Sequence, residues 1–70
     1  MHPAISDLLR FFKHKHLPAP LAEISAPFGE LAHKVAEGLE GPEATVCLRK
    51  LLEAKDCAVR AALPASESEG

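Results

Sequence analysis

The chain has no tryptophan and no tyrosine, and its only aromatic residues are three phenylalanines among 70 residues. Small and branched side chains therefore supply most of its hydrophobic content of 47%. A chain of this length forms one domain, and below roughly 70 to 80 residues a single core supplies little net stability. A disulfide, a metal ion or self-association is therefore expected to add to the stability of the fold.

Cysteine is also scarce, since the chain carries only Cys47 and Cys57. Both fall on one predicted helix, whose rise separates them by about 15 Å. A disulfide requires Cα atoms within about 7 Å, so we expect two free, buried thiols in a reducing compartment. Self-association is then the favoured source of added stability.

Long basic runs and long apolar runs are both absent from the sequence, and the net charge is −2. This charge argues against binding of duplex nucleic acid by phosphate neutralisation. No stretch approaches the ~20 apolar residues of a membrane span, and the N-terminus lacks the basic lead and apolar core of a signal peptide. We expect a cytoplasmic protein that binds neither duplex nucleic acid nor a membrane.

Apolar residues recur at helical spacing, which predicts an all-α fold. A short N-terminal helix is expected from about Pro3 to Phe12, with Phe12 on its apolar face and Phe11 off that face. A large aromatic side chain that points away from its own helix contacts a neighbouring chain or stacks on a ligand. Phe11 is therefore a candidate contact residue.

The start of the second helix has two interpretations. Either Ser25 caps a helix whose first turn contains Pro27, or the helix begins near Pro18 and bends at Pro27. The second interpretation extends the apolar face to Leu21 and Ile24.

Gly38 and Gly41 predict the end of the second helix, and Pro42 predicts the start of the third. So short a connection makes the two long helices an antiparallel hairpin. We expect a helical-hairpin domain over residues 1–63 and a disordered tail over residues 64–70. Because two amphipathic helices leave apolar stripes uncovered, other protomers are expected to cover them.

Lys55 is a charged residue in the middle of the apolar stripe of the third helix. A helical wheel from Pro42 to Leu63 places it between Leu48 and Leu51. Such a lysine loses hydration, so an anionic group or a route to solvent is expected beside it. Either its ammonium group reaches solvent at the edge of the stripe, or Lys55 binds an anion at an interface.

His14 and His16 lie in the connector between the first two helices. Extended backbone projects both imidazoles to one side, as in some metal sites. A zinc site needs three or four ligands, and no acidic or thiol residue is near in sequence. Hydrogen bonding at an interface or to a phosphate is therefore the favoured role of this pair, whereas His2 and His33 are expected to be solvated.

The sequence has no nucleophile elbow and no Gly-rich phosphate loop. We therefore expect a binding protein rather than an enzyme, with no cofactor and no metal ion. Phe11 or Phe12 can stack on a base, while Lys55 and Arg60 can bind phosphates. Arg60 is equally explained as the i,i+4 partner of Asp56 on a solvated face.

Several blocks of sequence occur in an order that is typical of one family. They are Phe11 and Phe12; His16, Leu17 and Pro18; Ser25 to Phe28; Leu31 and Ala32; and Leu48 to Ala61. This order, over most of the chain, resembles the helical-hairpin domain of phage anti-CBASS nucleotide sponges. The resemblance implies a hexamer that sequesters cyclic di- and trinucleotides in pockets between protomers, without cleavage, in an infected bacterial cell.

The resemblance also implies roles for individual residues. It places Lys55 in a trinucleotide pocket. The dinucleotide pocket of that family uses an aromatic residue of the arm and a lysine at the start of the first long helix. In this chain the aromatic residue is matched by Phe11 or Phe12, and the lysine is matched by the uncharged Ala26. Lys13, Lys15 or an arginine of another chain would then have to supply that charge.

Cyclic-oligonucleotide binding is thus the predicted function, and the alternative is a structural or protein-binding hairpin with no small ligand. The candidate ligand-binding residues are Phe11, Phe12, His14, His16, Lys55 and Arg60.

Overall fold

The computed structural model describes residues 2–63, so the tail predicted at residues 64–70 lies outside the described part. Within that part the chain forms helices and no strand, which confirms the all-α class. Helix α1 spans Pro3–Leu9 and continues into a 3-10 turn over Arg10–Phe12. Helix α2 spans Ala19–Gly38, and helix α3 spans Pro42–Ala61.

The start of α1 is fixed by a side-chain cap. The backbone N–H of Ala4 donates a hydrogen bond to Nδ1 of His2 over 3.0 Å. Pro3 fits the first turn, because the N–H that it lacks would have no helical partner there. His2 is exposed, as expected, and its side chain also caps a helix, a role that was not predicted from the sequence.

Helix α2 begins near Pro18 and runs through Pro27 as one helix of 20 residues. The helix start at Ser25 was therefore the wrong alternative, because Ser25 lies in the helix interior and is fully buried. Pro27 has no N–H to donate to the carbonyl of Glu23, which destabilises a helix interior. Packing of the face that continues on both sides of Pro27 outweighs this loss.

The buried face of α2 consists of small residues, which let its neighbours approach closely. They are Ser25, Gly29, Ala32 and Ala36. At Gly29, an added Cβ would lie 3.2 Å from the carbonyl oxygen of Phe12 and 3.7 Å from Cβ of Phe12. The absence of a side chain at Gly29 therefore sets the distance between α2 and the 3-10 turn.

One core joins α1, the 3-10 turn and both long helices. Its buried apolar residues are Ile5, Leu9, Phe12, Ala32, Ala36, Ala44 and Leu48. Phe12 is the largest of them and is only 2% exposed. The interpretation of Phe12 as a residue of the apolar face is confirmed, and its ring is not accessible for stacking on a base in this conformation.

The connection between α2 and α3 follows the predicted pattern of glycine and proline. Helix α2 ends at Gly38, Gly41 adopts a φ of 97°, and α3 begins at Pro42. A positive φ favours glycine because it has no Cβ to clash with the backbone. The most extensive contact between helices is that of α2 with α3.

The two cysteines are free, but both are exposed, so their predicted burial was wrong. Helix α3 buries only a narrow stripe that includes Ala44 and Leu48, and both thiols fall outside it.

Within residues 2–63, none of the helices combines the length and the apolar content that a membrane span requires.

Candidate functional site

A cleft of about 810 Å³ lies between the N-terminal arm and the middle of α2. We call it the connector cleft, because residues 13–16 line one side of it. Its apolar lining comes from Leu9 and Phe12, and Gly29 contributes backbone with no side chain. A volume in this range is typical of small-molecule sites, which combine an apolar surface with a few polar groups.

The charged groups of the connector cleft are mostly of one sign. Among residues 2–63, the single carboxylate in its lining is that of Glu30. The cationic residues of the lining are Arg10, Lys13 and Lys15, and its imidazoles are those of His14, His16 and His33. Guanidinium, ammonium and imidazole groups all donate hydrogen bonds to phosphate oxygens, so the lining suits a phosphate-bearing ligand.

None of these charged groups is in an ion pair within the described residues. The two ion pairs found there, Lys50 with Glu53 and Lys55 with Asp56, both lie on α3. Exposed cations without a carboxylate partner keep their hydrogen-bond donors available. The connector cleft therefore presents donors to a ligand rather than to its own chain.

Phe11 lies beside the connector cleft and is linked to it through Arg10. The Arg10 guanidinium carbon is 5.3 Å from the centroid of the Phe11 ring, within the range of a cation–π contact. Phe11 is 52% exposed, which confirms its expected position off the apolar face. The accessible part of this ring is available for a base to stack on it.

The two connector histidines and His33 line the same cleft although they come from different elements. His14 is half-buried, and its Nδ1 lies 4.0 Å from the position that a Cβ of Gly29 would occupy. His16 and His33 are exposed. His33 was expected only to be solvated, because its proximity to the connector arises only when α2 packs against the arm.

Lys55 lies on α3, outside the lining of the connector cleft. Its side chain is 13% exposed, and its Nζ is 2.8 Å from Oδ1 of Asp56. The expected anionic neighbour of this partly buried lysine is therefore the next residue in the chain. Because Asp56 already binds the ammonium group, any other anion would have to replace or share this carboxylate.

Arg60 also lies on α3 and outside the cleft lining. Its Nη2 donates a hydrogen bond to Sγ of Cys57 over 3.4 Å. The alternative i,i+4 pair with Asp56 is not formed, because that carboxylate turns towards Lys55. The structure thus separates the candidate residues into two groups, one at the connector cleft and one on α3.

A second cleft of about 800 Å³ lies where the start of α1 meets the connection between α2 and α3. Its charged residues are Glu37 and Glu40, and His2 also lines it. Carboxylates repel phosphate, so this second cleft does not suit the same ligand.

In residues 2–63, no group of three or more His, Cys, Asp or Glu side chains is placed to hold a metal ion.

No protein-family model, no curated protein and no solved structure matches the chain.

Proposed function

We propose that this protein binds cyclic di- or trinucleotides noncovalently and withholds them from the effectors that they activate. In this proposal it is a phage counter-defence protein that acts in the cytoplasm of an infected bacterial cell against CBASS-type signalling. The observation that carries the binding function is the connector cleft, in which cationic and imidazole side chains surround an apolar surface.

The proposed ligand places its phosphates against the cations of the arm. Arg10, Lys13 and Lys15 supply charge, while His14 and His16 supply hydrogen-bond donors. Phe11 is the proposed stacking platform for a base, because it is exposed whereas Phe12 is buried. The arm lysines then take the role that the resemblance gives to a lysine at the position of Ala26.

Assembly is part of the same proposal. We propose that α2 and α3 form an antiparallel hairpin and that several copies, six by the resemblance, associate through apolar side chains left exposed. Ile24, Leu31 and Leu39 are such side chains on and just after α2. Lys55 and Arg60 would then bind a trinucleotide at a second site between protomers, away from the connector cleft.

The proposal is one of binding without cleavage. Among residues 2–63, Ser6 is the only hydroxyl-bearing residue in the cleft lining, and its Oγ donates to the carbonyl oxygen of Pro3 over 3.1 Å rather than to a histidine. Within the described part of the chain, the lining therefore gives the Ser6 hydroxyl no partner that would activate it as a nucleophile.

Calorimetric titration against a panel of cyclic di- and trinucleotides tests this function. We expect saturable binding by at least one member, and recovery of the intact nucleotide after heat denaturation. A bound nucleotide also raises absorbance at 260 nm, which is easily detected in a chain without Trp or Tyr. Absence of binding by every member would refute the proposal, and recovery of a cleaved product would refute its noncovalent form.

The exposed apolar residues also favour a second candidate, a protein-binding hairpin without a small ligand. The double substitution Lys13→Ala and Lys15→Ala separates the two functions. It should abolish the binding of cyclic dinucleotides if the connector cleft is their site. It should leave capture of a protein partner by the apolar side of α2 unchanged.

A further inference from the structure

Glu30 is the one group in the connector cleft that a phosphate would avoid. It lies on α2, is the only carboxylate of the lining, and has no ion-pair partner within residues 2–63. Two negative groups in one cleft repel each other. A ligand that fills the cleft must therefore direct its phosphates towards the arm and a different chemical group towards Glu30.

An ionised carboxylate accepts hydrogen bonds and donates none. Among the bases of a nucleotide, guanine presents two adjacent N–H donors, N1–H and the N2 amino group, which match the two carboxylate oxygens. Adenine presents one amino group beside an acceptor nitrogen, whose lone pair would face the carboxylate. Two parallel charge-assisted hydrogen bonds add both strength and geometric selectivity.

We propose that Glu30 makes the connector cleft selective for guanine, an inference that rests on the proposed function. The phosphates of the ligand lie against Arg10, Lys13 and Lys15, and the Watson–Crick edge of a guanine lies against Glu30.

Cyclic di-GMP and cyclic di-AMP carry the same charge and differ only in their bases, so their affinities isolate the contribution of the base edge. We expect the unmodified protein to bind cyclic di-GMP about 10-fold more tightly, the lower end of the range for a hydrogen bond to a charged group. In Glu30→Gln this preference should vanish or invert, because an amide offers one acceptor and one donor, the pattern that matches adenine. Affinity for cyclic di-AMP should hold or rise, because a negative charge has left the cleft.

Glu23→Gln is the matched control. Glu23 precedes Glu30 by about two helical turns, so it lies on the same face of α2, and it is exposed outside the cleft lining. The substitution Glu23→Gln removes the same charge as Glu30→Gln and should leave the preference for guanine unchanged. Circular dichroism of both variants should match that of the unmodified protein, since both side chains are exposed.

Each alternative result has a distinct meaning. Equal binding of the two dinucleotides by the unmodified protein would overturn the guanine inference and leave the proposed function standing. An equal rise in both affinities in Glu30→Gln, or the same change in Glu23→Gln, would reduce Glu30 to a general charge effect and also overturn it. Failure of both dinucleotides to bind would overturn the inference, and the panel with cyclic trinucleotides would then decide the proposed function.

Discussion

The Ser25 hydroxyl is fully buried in α2 and has no hydrogen-bond partner within the described residues. Burial of an unpaired hydroxyl costs roughly 1–3 kcal/mol, and alanine is also a better helix former than serine. We expect Ser25→Ala to raise the free energy of unfolding by about 1 kcal/mol. Urea denaturation followed by circular dichroism measures this change. A loss of stability would show that the hydroxyl is hydrogen-bonded in solution.

Lys55→Met tests whether Lys55 binds a ligand phosphate. The half-exposed Asp56 carboxylate keeps its hydration when it loses its partner, and methionine fills the same apolar surroundings. The free energy of unfolding should therefore stay within about 1 kcal/mol. Affinity for a cyclic trinucleotide should fall about 10- to 150-fold, which corresponds to about 1.5 to 3 kcal/mol.

Lys50→Met is the control for Lys55→Met. Lys50 is exposed on the same helix and has its own carboxylate partner, Glu53, at 3.9 Å. The substitution Lys50→Met should change neither the free energy of unfolding nor the affinity for the cyclic trinucleotide. Normal ligand binding by Lys55→Met would assign this residue a structural role, in which the ion pair with Asp56 lets a lysine lie in an apolar stripe.

The patterns of single residues explain which parts of the connector cleft could be predicted. His14 and His16 were identified from their spacing, and Lys13 and Lys15 were named as sources of a missing charge, so these four residues could be found without a structure. Gly29, Glu30 and His33 carry no such signal, because their contribution depends on how α2 is rotated against the arm. The contact of Arg10 with the Phe11 ring joins adjacent residues, and it depends on their side-chain rotamers rather than on helix packing.

At the level of whole elements, the sequence predicts all three helices and the end of α2 at Gly38. It leaves the start of α2 open, because Ser25 and Pro27 together also form a good N-terminal signal. Burial of the face around Ser25 decides between the two starts, and burial is a property of the packed chain rather than of the local sequence. The same limit explains why the thiols of α3 were expected to be buried.

Gly29→Ala tests the contact between α2 and the 3-10 turn. In an open helical position, alanine stabilises a helix by up to about 1 kcal/mol relative to glycine. At Gly29 the new Cβ would meet the buried backbone of Phe12 at 3.2 Å, so the turn must move. We expect Gly29→Ala to lower the free energy of unfolding by about 1 kcal/mol, because overpacking typically costs 1–3 kcal/mol.

Gly38→Ala provides the comparison for Gly29→Ala, since an added Cβ at Gly38, apart from its chain neighbours and the backbone of its own helix, has no atom of the described residues within 4 Å. It should be neutral or stabilising in the same denaturation experiment. If both alanines stabilise equally, the arm can move away from α2 at little cost. The geometry of the connector cleft would then be adaptable rather than fixed.

At the scale of the whole molecule, the exposed apolar side chains of α2 lead to a prediction about assembly. Leu31 is 49% exposed in the middle of α2, with Ile24 about two turns before it. We expect light scattering to give a mass of several chains, each of 7.5 kDa. Leu31→Glu should shift this mass towards that of one chain, because a charge at an apolar interface must be desolvated.

Lys50→Glu is the control for this substitution, since it places a new carboxylate at an exposed position of α3. It should leave the mass unchanged. A single-chain mass for the unmodified protein at micromolar concentration would contradict self-association. The proposed trinucleotide site between protomers would fail with it, whereas the connector cleft lies within one chain.

The accessible thiols of Cys47 and Cys57 make α3 a convenient place for chemical labels. Both cysteines are free and exposed, and neither lines the connector cleft. A fluorophore or a nitroxide attached to either one, with the other changed to serine, would report on α3 without touching the arm. Distances between labels on different copies would then give the arrangement of these helices within an assembly. The same exposure means that storage without a reductant would allow disulfide cross-links to form between copies.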